Sequence, residues 1–440
     1  MQETKKRLVC IISVIAVFMI AAVFVLLKTG VFSFPGGKTV KAEDLMEGIY
    51  PSAVHVDGQI TDYSGAVSDF SIRLFRESYN KCGVGENVLV SPISVLLALS
   101  MTANGAQGET LAQMEDVLGM KTGELNDFAY LYSHMLEDRP DYAGELDIAN
   151  SIWFKDDPDF EVNKDFLQIN ADYYDASVYS SHFDDSAVKT INNWVSKKTK
   201  GMIPAVIDEI SNDALMFLVN ALAFDAEWNN IYKEDQVRDD LFLNALNEQK
   251  KVSFLYNTEN IYLEDGNAVG FMKYYKAKRY AFAALLPNEG IHPGDYLNNL
   301  DGDHLSEILK NAETCEVRTS MPKFKTEYSV EMSEILGNMG MARPFDMFLA
   351  EFYNMGICRD PNRNNLFIGS VLHKTYIAVD EKGTKAGAAT VVRMDGGTSA
   401  PMEKPKPKEV YLTRPFIYML IDVEANIPLF IGVMNDPGAK

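Results

Sequence analysis

The sequence predicts an α+β fold with large antiparallel sheets, on three observations. Apolar residues at helical spacing concentrate in the first third of the chain, and apolar strand-like runs bounded by turn residues fill the rest. No internal repeat is present, and helices followed by strands favour α+β over a βαβ array. With 440 residues, 47% of them hydrophobic, the chain can bury a large core. A length prior of roughly 150 residues per domain suggests two or three domains.

In chain order, "SGAVSDFSIRLFRESYN" carries Val67, Phe70, Leu74 and Phe75 on one helical face, and the globular pattern begins at about Asp62. "NVLVSPISVLLALSMTANGA" reads as a short strand over Val88 to Val90. Ser91 then caps, Pro92 takes the first helical position, and the helix runs to Gly105. "GETLAQMEDVLG" is a further helix closed by Gly119. "DALMFLVNALAFDAEW" is apolar almost throughout, as a strand covered on both faces should be. "EQKKVSFLY", "GNAVGFMKYY" and "RYAFAALLP" are further strands. "NLFIGSVLHKTYIAVDE" is a long apolar strand, and "VYLTRPFIYMLIDVEANIPLFIGVMNDP" a short strand plus a hairpin turning at "VEANIP".

Ahead of this body lie a charged "MQETKKR" and twenty uncharged residues, Leu8 to Leu27. As a helix at about 1.5 Å per residue that run measures roughly 30 Å, enough to cross a bilayer. Lys5, Lys6 and Arg7 place residues 1–7 in the cytoplasm, and residues 28–61 read as a linker or stalk. A cleaved signal peptide is the competing reading, although the run is long and no clear small-x-small site follows it. On either reading the remaining chain, residues 62–440, lies outside the cytoplasm. A net charge of −21 argues against a nucleic-acid partner. Of the four cysteines, Cys10 sits in the apolar run. Cys82, Cys315 and Cys358 are an odd, widely spaced set that reads as free thiols, not disulfides or a zinc site.

No catalytic motif stands out: there is no G-x-S-x-G, H-E-x-x-H, Walker or dinucleotide-binding pattern. "CGVGEN" reads as a turn, and the acidic clusters "KDDPDF" and "NLDGDH" complete no calcium loop. His373, within an apolar strand, reads as a core histidine satisfied by hydrogen bonds.

"VDEKGTKAGAATVVRMDGGTS", residues 379 to 399, is a different matter. From Thr384, the even positions Thr384, Ala386, Ala388, Thr390, Val392 and Met394 carry no charge. Lys385, Arg393 and Asp395 all fall on the odd positions. Alternate residues of a strand face opposite sides, so this surface segment has the pattern of a strand with one buried side. Its small residues are poor strand formers but suit entry into a packed interior, where overfilling costs about 1–3 kcal/mol. Gly383, just before the run, supplies a pivot. The alternative is an ordinary Ala/Gly-rich loop.

This segment resembles the hinge of the serpins. "NVLVSPISVLLALSMTANGAQGET", "LVNALAFDAEW", "MPKFKTEYSVEMSEILGNMGM" and "RPFIYMLIDVEANIPLFIGVMNDP" are similar to further serpin segments, in family order over about residues 65 to 437. The resemblance implies one domain of three β-sheets with about nine helices and an exposed reactive-centre loop, overriding the length prior. It implies a monomeric inhibitor, not an enzyme, with no cofactor or metal. Serine proteases, and for some members cysteine proteases, are trapped as covalent acyl complexes when the cleaved loop inserts as a new strand. Glu381, Lys382, Gly383, Thr384, Lys385, Ala386, Gly387, Ala388, Ala389 and Thr390 match the hinge. Ser91, Ser94, Asn220 and His373 match the cluster where the main sheet parts, and Trp228 the tryptophan at the top of the opening.

Lys385 departs from the acidic or small residue usual there, and the far half of the loop is longer than usual. Counting forward from Glu381 places the scissile bond at Gly397–Thr398, which implies an elastase-like or subtilisin-like target accepting small residues. Counting back from Phe416 lands near Lys404, before a proline that makes a poor bond. The runner-up is a non-inhibitory binding protein on the same fold. The N-terminal segment and unpaired cysteines fit a bacterial envelope protein on the extracellular side of the membrane.

Overall fold

The computed structural model describes residues 42–83, 85–137, 144–210, 214–359, 366–384 and 406–438. Among them are nine α-helices and three β-sheets of seven, nine and two strands. The predicted class holds, and the run of strands after residue 213 is as expected.

The seven-stranded sheet positions the site. Across it lie Glu43–Asp44, Ser177–Ser181, Glu145–Lys155, the central strand Met216–Glu227, Gly383–Thr384, the leading strand Ser370–Val379 and the edge strand Phe324–Glu331. From Met216 to Phe224 the central strand is apolar except for Asn220, because both its faces are covered. Met216, Leu218, Leu222 and Phe224 join the main core. Phe217, Val219 and Ala221 pack with Ile191 and Val195 of the helix Asp185–Lys198 in a second core on the opposite face.

The nine-stranded sheet runs Lys408–Tyr411, Glu313–Pro322, Gln249–Glu264, Ala268–Tyr274, Tyr280–Pro287, Phe416–Asp422, Ile427–Met434 and Val88–Val90, with Val237–Leu243 paired alongside Gln249–Leu255. Its inner strands Tyr280–Pro287, Phe416–Asp422 and Ile427–Met434 are buried over their whole length. The third sheet pairs Phe160–Val162 with Gly356–Cys358. Helix Ser64–Lys81 buries Val67, Phe70, Leu74 and Phe75 completely, as their spacing predicts. Each such side chain is worth about 1.5–3 kcal/mol relative to exposure.

Four details differ from the sequence reading. Helix Pro92–Ala103 stops short of Gly105, and the Ser91 side chain does not cap it; the Ser91 hydroxyl has no hydrogen-bond partner, while its amide is used elsewhere. The final hairpin turns more tightly than expected, with Ile427 and Pro428 already in the strand. Residues 42–61 belong to the body, not to a stalk: Glu43–Asp44 pairs with Tyr179 and Ser180, and the Leu45 amide donates to Val178 O at 2.9 Å. Exposed edge strands recruit such additions because their amides and carbonyls are otherwise unpaired. Finally, the hinge is not wholly a loop, since Gly383–Thr384 already forms a strand inside the sheet.

No disulfide joins Cys82, Cys315 and Cys358. No metal-binding cluster and no helix long and apolar enough to cross a membrane occurs among the described residues. The apolar run 8–27 lies outside them, as does Cys10.

Candidate functional site

The central and leading strands lie side by side, parallel, only over part of their length. Direct pairing runs from Phe217–Ser370 to Leu222–Thr375. Beyond that the two strands part, and the gap is closed at its far end by Gly383–Thr384. These two residues pair antiparallel with Glu227 and Ala226 on one side, and Thr384 pairs with Val379 on the other. The sheet is therefore split between two fixed points, a polar cluster below and the hinge above.

The lower point is built on Asn220, which is fully buried in the central strand. Its Oδ1 accepts from Ser94 Oγ at 2.7 Å and from His373 Nδ1 at 2.5 Å, and its Nδ2 donates to Asn150 Oδ1 at 2.7 Å. His373 Nε2 accepts from the Ser91 amide at 3.0 Å. These partners fix the neutral tautomer with the proton on Nδ1, since a proton on Nε2 would face another N–H. Burial holds the His373 pKa down at about 3. Ser91, Ser94, Asn220 and His373 thus come together as expected, although Ser91 contributes its amide and not its hydroxyl. Helix, central strand and leading strand are tied at one point.

The upper point is a polar turn. Asp380 Oδ1 accepts from the amides of Lys382 and Gly383 at 2.8 and 3.2 Å, and the Asp380 amide donates to Gly383 O at 3.0 Å. Trp228 grips this turn twice: its amide donates to Lys382 O at 2.8 Å and its indole Nε1 to Asp380 O at 2.9 Å. The Tyr232 amide donates to Glu381 O at 2.9 Å. Lys323 pairs with Glu381 at 2.5 Å, and that hydrogen bond holds the Glu381 carboxyl below its ordinary range. Thr384 is fully buried and its hydroxyl lies 2.6 Å from the Tyr275 hydroxyl. Tyr275 stacks on Trp228, ring centroids 4.3 Å apart. Gly383 is required for a steric reason beyond its expected role as pivot: a Cβ there would lie 2.1 Å from Ala226 O.

Glu381, Lys382, Gly383, Thr384 and Trp228 are therefore brought together. Lys385, Ala386, Gly387, Ala388, Ala389 and Thr390, with Gly397 and Thr398, lie outside the described residues. Sequence reasoning missed Asn150, Tyr232, Tyr275, Lys323 and Asp380. Only Asp380 left a local signal, because an aspartate two residues before Lys382 is placed to accept that amide in a turn. The others arrive from segments distant in sequence.

The serpin family model, described as serine protease inhibitor, matches residues 65–437. The chain belongs to the serpin family. Among solved structures it is similar to the thermophilic serpin tengpin in its native state, at 43% identity and TM-score 0.83, covering 90% of this chain and all of that one. Tengpin in its latent state matches at 40% identity with a TM-score of 0.72, over 87% of this chain and 99% of that one. Among curated proteins, an uncharacterized serpin-like protein of Thermococcus kodakarensis is 29% identical over 388 residues, 87% of each chain. Leukocyte elastase inhibitor of Xenopus tropicalis is 28% identical over 85% of this chain and 99% of its own. As a serpin the protein is a protease inhibitor acting by insertion of its loop into the sheet, with a serine protease as partner, and not an enzyme.

Proposed function

We propose that this serpin is a suicide-substrate inhibitor whose loop is cleaved at Gly397–Thr398 by an elastase-like or subtilisin-like serine protease. The observation that carries the reading is the single rung Gly383–Thr384, seated between two strands that are parted beneath it. Once cut, the chain after Thr384 can extend this rung downward, each added residue gaining ladder hydrogen bonds from both neighbours. Ala386, Ala388 and Thr390 share the inward face of Thr384, and their small side chains enter without overfilling it. Asn220, His373, Ser94 and Ser91 form the joint that must yield as the new strand passes. Trapping succeeds when insertion outruns hydrolysis of the acyl-enzyme. Small residues at the scissile bond match a small specificity pocket, and a relative bears the name leukocyte elastase inhibitor. A cysteine protease with the same preference is a second class of target.

Residues 8–27 anchor the body, or direct its export, so that inhibition takes place on the extracellular face of the membrane. The test is incubation with pancreatic elastase and subtilisin. An SDS-stable complex is expected, with a released C-terminal fragment beginning at Thr398 by mass spectrometry. A fragment beginning elsewhere refutes the assigned bond. Clean cleavage without complex refutes the inhibitory reading.

A further inference from the structure

Beneath the hinge lies a buried ion pair that the insertion pathway does not itself touch. Lys273, on strand Ala268–Tyr274, and Glu259, on strand Gln249–Glu264, meet at 2.7 Å with side chains 2% and 9% exposed. Such a pair seldom repays its own desolvation, and apolar residues of similar volume commonly serve stability as well or better. Its surroundings suggest another role. The Lys273 ammonium lies 4.5 Å from the centre of the Tyr232 ring and 5.4 Å from that of Trp228. Both are within reach of a cation–π attraction, which is strongest where water is excluded. The Tyr232 hydroxyl is buried without a hydrogen-bond partner, so the ammonium and packing orient that ring.

The pair is also tied to the far end of the same segment. Glu259 accepts from Asn257 Nδ2 at 2.9 Å, Asn257 Oδ1 accepts from Gln236 Nε2 at 3.1 Å, and Gln236 Oε1 accepts from the Lys233 amide at 2.8 Å. Residues 228 to 236 are thus held at both ends. Within them stand the two amides, of Trp228 and Tyr232, that grip Lys382 and Glu381.

We propose that Lys273 and Glu259 are positioning residues for loop insertion: they hold the 228–236 turn so that the Gly383–Thr384 rung is already built when the loop is cut. Insertion then elongates an existing strand and skips the costly first contact between separated segments. The proposal rests on the inhibitory reading for its consequence but not for its geometry.

The full chain carrying Lys273→Met together with Glu259→Leu tests it, since this double change leaves no unpaired buried charge. Gln236→Ala serves as a milder variant should the double one fold poorly. Hydrogen–deuterium exchange is measured on peptides spanning Trp228 to Tyr232 and Asp380 to Thr384, alongside the stoichiometry of elastase inhibition. The expected result is exchange at least tenfold faster in those peptides, with protection elsewhere retained. The stoichiometry should rise at least threefold, and spontaneous loop insertion on heating should slow. A merely structural pair would leave exchange at the hinge unchanged, or, where its loss weakens the native state, would speed conversion. Unchanged exchange at the hinge, or faster conversion, overturns the proposal. Should the wild-type protein form no SDS-stable complex, the inhibitory reading falls, while the exchange measurement still decides the positioning role.

Discussion

At the scale of single residues, the site depends on side chains with no tolerance for change in size or charge. Thr384 is fully buried against Tyr275, so Thr384→Arg would place an unpaired guanidinium where desolvation costs several kcal/mol, at least about 3. The hinge is expected to leave the sheet and the protein to behave as a substrate. The stoichiometry of inhibition should rise more than tenfold, read by titration against elastase. His373 carries a pH signature. Its folded pKa of about 3 lies below the ordinary 6.5, so the unfolded chain takes up the proton first as pH falls. The stability it contributes is complete above about pH 6.5 and is lost progressively down to about 3. At pH 5 the loss is roughly 2 kcal/mol, at 1.36 kcal/mol per pKa unit. His373→Gln should flatten this part of the curve, measured as urea midpoints between pH 7 and pH 5; an unaltered slope would show that other groups carry it.

At the scale of elements, the register of one short strand determines what insertion must do. Continuing the antiparallel register beyond Thr384–Ala226 brings Lys385 opposite Asp225, on the face where Glu145 pairs with Asp225 across the next strand. The lysine that departs from the family pattern therefore inserts beside two carboxylates, a favourable cross-strand arrangement. Lys385→Glu would set like charges side by side and is expected to raise the stoichiometry of inhibition about two- to fivefold, with hinge exchange unchanged, since each such pair is worth roughly 0.2–1 kcal/mol. An unchanged stoichiometry would indicate a different register. The elements themselves were largely legible. Central-strand residues Met216 to Phe224 read as a doubly covered strand, and Val67, Phe70, Leu74 and Phe75 as a buried face, because burial leaves its period in the sequence. The short strand Glu43–Asp44 was not legible, since it is polar and exposed and joins the sheet through its backbone.

For the whole molecule, the seven-stranded sheet holds one rung of a further strand, and below it the central and leading strands close directly on each other. Cleaved protein should melt above the intact form by roughly 10 °C or more, several kcal/mol for a chain of this length. Differential scanning calorimetry before and after limited elastase treatment reads this directly. Equal midpoints would remove the energetic basis of trapping.

The sequence alone determined the class, the order of elements, the alternation that prepares residues after Thr384 for one-sided burial, and the family resemblance. These follow from periodicity and local chemistry, which every segment carries within itself. Only the tertiary structure decided that the hinge is already one rung inside the sheet, that Gly383 is needed because Ala226 O approaches it, and that Trp228, Tyr232, Tyr275 and Lys323 converge on Asp380 to Thr384. Those contacts join segments far apart along the chain. Their geometry depends on how two sheets pack, and no local pattern encodes it.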